Sequence, residues 1–193
     1  MTPPPSSSNA PGQTVFSLQN FNILLVEDYE FIQSLVVSML RAFGVGNVIV
    51  CSSGEEAKQI ITLNQSGGSK PIDIVLTDWM MPGGMGSELM AFIRNHKNET
   101  IRFMPIIMLS TFVNERAVMA ARDAGANEVL MKPLSAEKMA SRILSVVNNP
   151  RPFVKATSFF GPDRRRRELN WNKEDRRKMD TGQIREHHES TVP

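Results

Sequence analysis

Five short apolar runs, each followed by a helical pattern, constrain this chain more than any other feature. The runs are Asn22–Val26, 48–50, 72–77, 105–109 and Glu128–Met131. They do not alternate apolar with polar residues, which is the pattern of strands buried on both faces by crossover helices. The intervening segments repeat at helical spacing. Phe31, Leu35, Val36, Met39, Leu40 and Phe43 share one helix face, and Gly44 closes the pattern. Ser52 and Ser53 offer a cap, with Glu55 and Glu56 in the first turn where the helix dipole favours acids. Further helices are predicted over 87–95, after a Gly-rich loop, over 114–123, stopping at Gly125, and over 135–147, capped by Ser135. The expected architecture is α/β: a doubly wound (βα)5 sandwich around a five-stranded parallel sheet.

In such sheets function is expected at the carboxyl ends of the strands, near the topological switch point. Here the first run ends in Glu27-Asp28, the third in Asp78, the fourth in Ser110 and the fifth in Lys132-Pro133. Taken singly, each has an ordinary reading: a turn aspartate, a helix cap, a solvated lysine. Their joint occurrence in strand order points instead to one site. Three converging carboxylates need a compensating cation, and hard oxygen ligands suit Mg²⁺. A carboxylate beside Mg²⁺ and an ammonium can attack a phosphoryl donor. Lys132 would then neutralise the transferring group and Ser110 would donate to one of its oxygens.

The chain has 193 residues, 41% hydrophobic, with a single cysteine, so neither a disulfide framework nor a thiolate metal cluster is expected. No apolar run approaches the roughly 20 residues that span a bilayer. The start, MTPPPSSSNAPGQ, lacks the basic and apolar parts of a secretory signal. These features predict a soluble, cytoplasmic protein without membrane insertion. Residues 1–20 read as a disordered leader, 21–149 as the folded domain and 150–193 as a basic extension, flexible or partner-docking. Residues 1–150 carry a net charge of −2 and residues 151–193 one of +4.

The segments LLVEDYE (24–30), VLTDWMMPGGMG (75–86), PIIMLST (105–111) and GANEVLMKPLS (125–135) together resemble the receiver domain of bacterial two-component response regulators, a CheY-like, flavodoxin-like fold. The resemblance covers roughly residues 21–148. It implies Asp78 as phosphoacceptor and Glu27, Asp28, Asp78 and the Met80 backbone carbonyl as ligands for Mg²⁺, with Mn²⁺ an alternative. It also implies Ser110 and Lys132 as phosphoryl contacts, with Thr111 the alternative to Ser110, and a cis peptide bond before Pro133. The implied partner is a histidine kinase or phosphotransfer protein. A dimer through the fourth helix, fifth strand and fifth helix is a further implication. The chain departs from the family at Val129, where an aromatic switch residue often stands. Met80 and Phe112 occupy the positions that flank the path of attacking water; both are bulky and apolar, which predicts a long-lived phosphoryl group.

The tail after Pro150 is too short and too sparsely apolar for a DNA-binding output domain. Arg164, Arg165, Arg166 and Arg167 are contact candidates for phosphates or an acidic protein surface. Phe153, Phe159 and Phe160 are expected to dock on the domain or on a partner. His187 and His188 lie in a polar end segment. The favoured reading is a phosphoacceptor that switches protein–protein contacts and is not an enzyme acting on other molecules. The alternative is phosphorylation-controlled nucleic-acid binding through the tail. A Mg²⁺-dependent phosphohydrolase would need a general acid two residues after the nucleophile, and Met80 cannot serve.

Overall fold

The computed structural model describes residues 18–65, 70–81, 84–111, 114–157, 159–164 and 185–186, of which Gln65 and 185–186 are described as backbone alone. Five strands form the main sheet: β1 (Asn22–Val26), β2 (Asn47–Cys51), β3 (Ile74–Asp78), β6 (Ile106–Ser110) and β7 (Glu128–Met131). They are all parallel, in the order β2-β1-β3-β6-β7. The order reverses between β1 and its neighbours, so the switch point lies at the carboxyl ends of β1 and β3.

Helices cover both faces, as the unbroken apolar strands require. Helices α1 (Glu30–Ala42) and α6 (Ala136–Asn148) pack on one face, where Val36, Leu40, Met139 and Ile143 meet Ile23, Leu25, Leu76 and Leu109. On the other face, α2 (Gly54–Gln65), α3 (Gly86–Arg94) and α5 (Glu115–Asp123) bring Ile61, Leu89, Ile93 and Ala121 against Leu24, Val75, Ile106 and Met108. The punctuation is as the sequence predicts. Ser53 Oγ accepts from Glu56 N at 3.2 Å and Ser135 Oγ from Lys138 N at 3.3 Å. Gly44 and Gly125 close α1 and α5 with φ of 76° and 97°, a region glycine enters without steric cost.

Four features depart from the sequence reading. The third strand begins at Ile74 rather than 72 and includes Asp78, while Ile72 is buried outside the ladder. A one-turn helix, α4 (Glu99–Arg102), is capped by Asn98, whose side chain accepts from Thr100 N and Ile101 N. Four residues are too short to show periodicity. The stretch read as leader contributes a 3-10 turn at Leu18–Asn20, with Leu18 buried and its carbonyl accepting from Gly46 N at 3.1 Å. Residues 1–17 lie outside the described residues. Finally, the stretch read as extension contains a hairpin of β8 (Phe153–Ala156) and β9 (Phe159–Pro162), with β10 (Arg185–Glu186) pairing antiparallel to β8. Between β3 and α3 a small ladder joins β4 (Met80–Met81) to β5 (Gly84–Met85).

Candidate phosphoacceptor site

Parallel register gathers the functional side chains. Val26, the last residue of β1, lies beside Thr77, and Asp78 lies beside Leu109, so Glu27-Asp28, Asp78 and Ser110 emerge together at the same sheet edge. Ligand oxygens of Glu27, Asp28 and Asp78 all lie within 4.8 Å of one another. Lys132 follows β7 and reaches across from the sheet's far side. Its Nζ donates to Asp78 Oδ2 at 2.7 Å and to Glu27 Oε2 at 2.8 Å. Its backbone N–H donates to Ser110 O at 2.7 Å, which ties the lysine's loop to the neighbouring strand. The Lys132–Pro133 peptide bond is cis.

The electrostatics follow from burial of a charged cluster. Glu27 is 1% exposed, and burial raises its carboxyl above the usual range. The Lys132 ammonium opposes that rise and the Asp78 charge adds to it. Burial alone would lower Lys132, but hydrogen bonds and charges from Asp78 and Glu27 outweigh it and hold the ammonium above its usual range. An acidic cluster in which Glu27 and Asp78 are buried and Asp28 is exposed, bridged by one ammonium, still favours further positive charge. Hard carboxylate oxygens at this spacing fit a divalent cation of the Mg²⁺ type.

Three further contacts fix the geometry. Trp79 N–H donates to Asp78 Oδ1 at 2.6 Å, and Trp79 itself packs on the core beneath. Gln33 Nε2 donates to Glu27 O at 2.6 Å, pinning the turn that carries the acidic pair. Gly86 N–H donates to Trp79 O at 2.9 Å, and a Cβ at 86 would stand 2.1 Å from Asp78 O. Gly86 stands where the Gly-rich loop meets the start of α3, and its identity is set by this close backbone approach. Ser110 is buried at the end of β6, and Thr111 is exposed just beyond it. Met80 is 56% exposed at the rim, and Val129 is half-buried and packed on the core. Phe112, Gly83, Arg165, Arg166, Arg167, His187 and His188 lie outside the described residues. Arg164 is far from this cluster in the fold: it bonds Asp123 at the C-terminal end of α5 at 2.7 Å and stacks 3.9 Å over Phe159.

One buried charge had no signal in the sequence. Arg94, the last residue of α3, is 4% exposed. Its guanidinium donates to the carbonyls of Gly125, Arg102 and Met104 and to Asn127 Oδ1, at 2.7 to 3.0 Å. Phe153 of the hairpin covers it, with the ring centroid 5.0 Å away.

A doubly wound parallel sheet with an acidic cluster and one lysine at its switch point defines a phosphoryl-handling α/β domain. The family model described as "Response regulator receiver domain" matches residues 23–144. The chain belongs to that family. It is 27% identical over 125 residues to the chemotaxis protein CheY-3 of Vibrio cholerae, covering 65% of this chain and 90% of that protein. It is 31% identical over 133 residues to the phosphate regulon transcriptional regulatory protein PhoB of Escherichia coli, covering 68% of this chain and 54% of that one. Among solved structures, a response regulator receiver domain protein of Clostridium thermocellum aligns with a TM-score of 0.57 at 27% identity, covering 66% of this chain and 94% of that one. CheY4 of Vibrio cholerae aligns at 0.56 and 25% identity, covering 65% and 98%. Among the described residues, no helix is long and apolar enough to cross a membrane.

Proposed function

We propose that Asp78 accepts a phosphoryl group from a histidine kinase or phosphotransfer protein and that the acyl phosphate switches contacts with a protein partner in the cytoplasm. The observation that carries this is the bridging of Asp78 and Glu27 by the single Lys132 ammonium at the switch point. In the transfer, an Asp78 carboxylate oxygen forms a bond to phosphorus as the P–N bond of the donor phosphohistidine breaks. The electron pair of that bond stays on the imidazole, which leaves neutral when its other nitrogen holds a proton. Lys132 shifts from a bridge between carboxylates to a partner for the incoming phosphoryl oxygens, and Ser110 stands where its hydroxyl can donate to another. Glu27, Asp28, Asp78 and the Met80 carbonyl are the groups that would hold Mg²⁺ or Mn²⁺, which supplies positive charge to the transferring group when bound.

Phosphorylation replaces the single negative charge of the Asp78 carboxylate with a phosphoryl group of about −1.5 to −2, a net gain of about one negative charge or less at a site already acidic. The protein responds as a switch, with no substrate turned over on another molecule. Met80 offers no group that orients water, which favours a long-lived acyl phosphate. The face formed by α5, β7 and α6 exposes Met119 and Leu144 and is the candidate dimer surface. Arg164 is engaged by Asp123 and Phe159, which does not favour nucleic-acid binding by this residue.

The test is incubation with acetyl phosphate, with and without Mg²⁺, followed by intact mass against time. A phosphoryl-sized gain that needs Mg²⁺, is labile to hydroxylamine and persists well beyond seconds is expected. No gain with either acetyl phosphate or a phosphorylated kinase contradicts the reading, and decay within seconds contradicts the role given to Met80 and Phe112.

A further inference from the structure

The turn between β1 and α1 carries two of the three acidic ligands, and no side chain caps the helix that follows it. Tyr29 is the N-cap residue of α1 and makes no side-chain cap hydrogen bond. Its N–H reaches Glu27 Oε1 at 3.4 Å, a long contact. The firm contact comes from further along the helix. Gln33 Nε2 donates to Glu27 O at 2.6 Å, and Gln33 N–H donates to Tyr29 O at 3.0 Å. On the other side, Glu27 N–H donates to Cys51 O of β2 at 3.1 Å. Residue 27 is thus fixed at both backbone ends, by the neighbouring strand and by the helix.

Glutamine suits this task by position and by chemistry. Gln33 is the fourth residue of α1, and helical side chains lean toward the N-terminus, so its amide comes back over the cap. Glu27 is 1% exposed, and a carbonyl buried there needs a partner. Only the NH₂ end of the side-chain amide can donate to a carbonyl, which fixes the orientation of the Gln33 amide. A carboxylate at 33 would have no donor, and asparagine is one methylene shorter.

The consequence lies at the carboxylates. Glu27 Oε2 is held by Lys132, whereas Asp28 is exposed and takes its place from the backbone of this turn. Ligand oxygens of Glu27, Asp28 and Asp78 close to within 4.8 Å of one another. Mg²⁺ demands near-ideal octahedral geometry at about 2.0–2.1 Å, while Ca²⁺ accepts flexible arrangements at about 2.3–2.6 Å. A loosened turn therefore costs the small ion more than the large one.

Resting on the reading of the acidic cluster as a divalent-cation site, we infer that Gln33 is a positioning residue for that site. By fixing the Glu27 carbonyl, its amide sets the placement of the Glu27 and Asp28 carboxylates and with it the preference for a small cation over a large one.

Calorimetric titration of the full chain with Mg²⁺ alone and with Ca²⁺ alone tests this, beside hydrogen exchange in the absence of either ion. Gln33→Met, similar in length but without a donor, and Gln33→Asn are each expected to bind Mg²⁺ at least fivefold more weakly and Ca²⁺ less than twofold more weakly. Amides of residues 27–33 are expected to exchange at least threefold faster in both variants without metal. Val36→Ala, which removes buried contacts of the same helix, is expected to lower stability and keep the parent ratio of the two affinities. Parent-like Mg²⁺ affinity in the folded Gln33 variants overturns the positioning role and leaves the cation site intact. Equal losses for the two ions, or the same change of ratio in Val36→Ala, also overturn it alone. A parent protein that binds neither ion overturns both.

Discussion

Replacing Arg94 with methionine is expected to lower the unfolding free energy by about 3–5 kcal/mol and the thermal midpoint by roughly 10 °C. Methionine approximates the stem of arginine but supplies no donors. The variant would leave the carbonyls of Arg102, Met104 and Gly125 and the Asn127 Oδ1 without the guanidinium that they share. A buried acceptor left unpaired costs about 1–3 kcal/mol, and Asn127 retains a second donor in Ile106 N at 2.9 Å, which moderates the sum. Arg94→Lys keeps a charge with three donors on a flexible stem and is expected to fall between. Burial lowers the Arg94 guanidinium to about 9. The unfolded chain therefore binds more protons above that value, so Arg94's contribution to stability rises with pH there and is flat below about 9. Chemical denaturation of the two variants at pH 7 and pH 8 checks both points: equal losses at the two pH values are expected.

The second large effect concerns Gly86. A Cβ there would stand 2.1 Å from Asp78 O and 3.3 Å from the Trp79 Cα. Both obstacles are backbone, so no side chain can swing aside to relieve the clash. In Gly86→Ala the segment carrying Asp78 and Trp79 must shift, which breaks the 2.9 Å bond from Gly86 N to Trp79 O. The expected stability loss is about 1–3 kcal/mol. The expected fall in Mg²⁺ affinity is at least about tenfold, or 1.4 kcal/mol, because ligand placement at the acidic cluster depends on Asp78. Calorimetric titration with Mg²⁺ beside a denaturation curve separates the two. Parent-like Mg²⁺ affinity in a folded variant would contradict the positioning role.

Gly86 and Arg94 mark the limit of what the amino-acid order made legible. Strand ends bearing Glu27, Asp28, Asp78, Ser110 and Lys132 were readable because a parallel sheet brings carboxyl ends together whatever the side-chain packing. The glycine stops at 44 and 125 and the serine caps were readable because they act within one turn. Gly86 was visible only as one of several loop glycines, since the backbone it approaches is eight residues earlier and its distance is a tertiary property. Arg94 bonds to backbone carbonyls at 102, 104 and 125, and carbonyls carry no sequence signal. The hairpin was hidden for a related reason. Its strands are four residues each; docking of Phe153 and Phe160 on the domain was expected from their aromatic character, but the pairing of the strands and the choice of Phe103 as anchor were not. Contacts between distant short segments are set by the assembled fold.

The most direct test of the central claim is to locate the phosphoryl group by residue. The parent and Asp78→Asn are treated with acetyl phosphate and Mg²⁺, reduced with borohydride, which converts an aspartyl phosphate to homoserine, and digested for mass mapping. Conversion at Asp78 in the parent, and at no other acid in either protein, is the predicted result. Phosphoryl gain retained in Asp78→Asn, or carried by His187, His188 or another carboxylate in the parent, would contradict it.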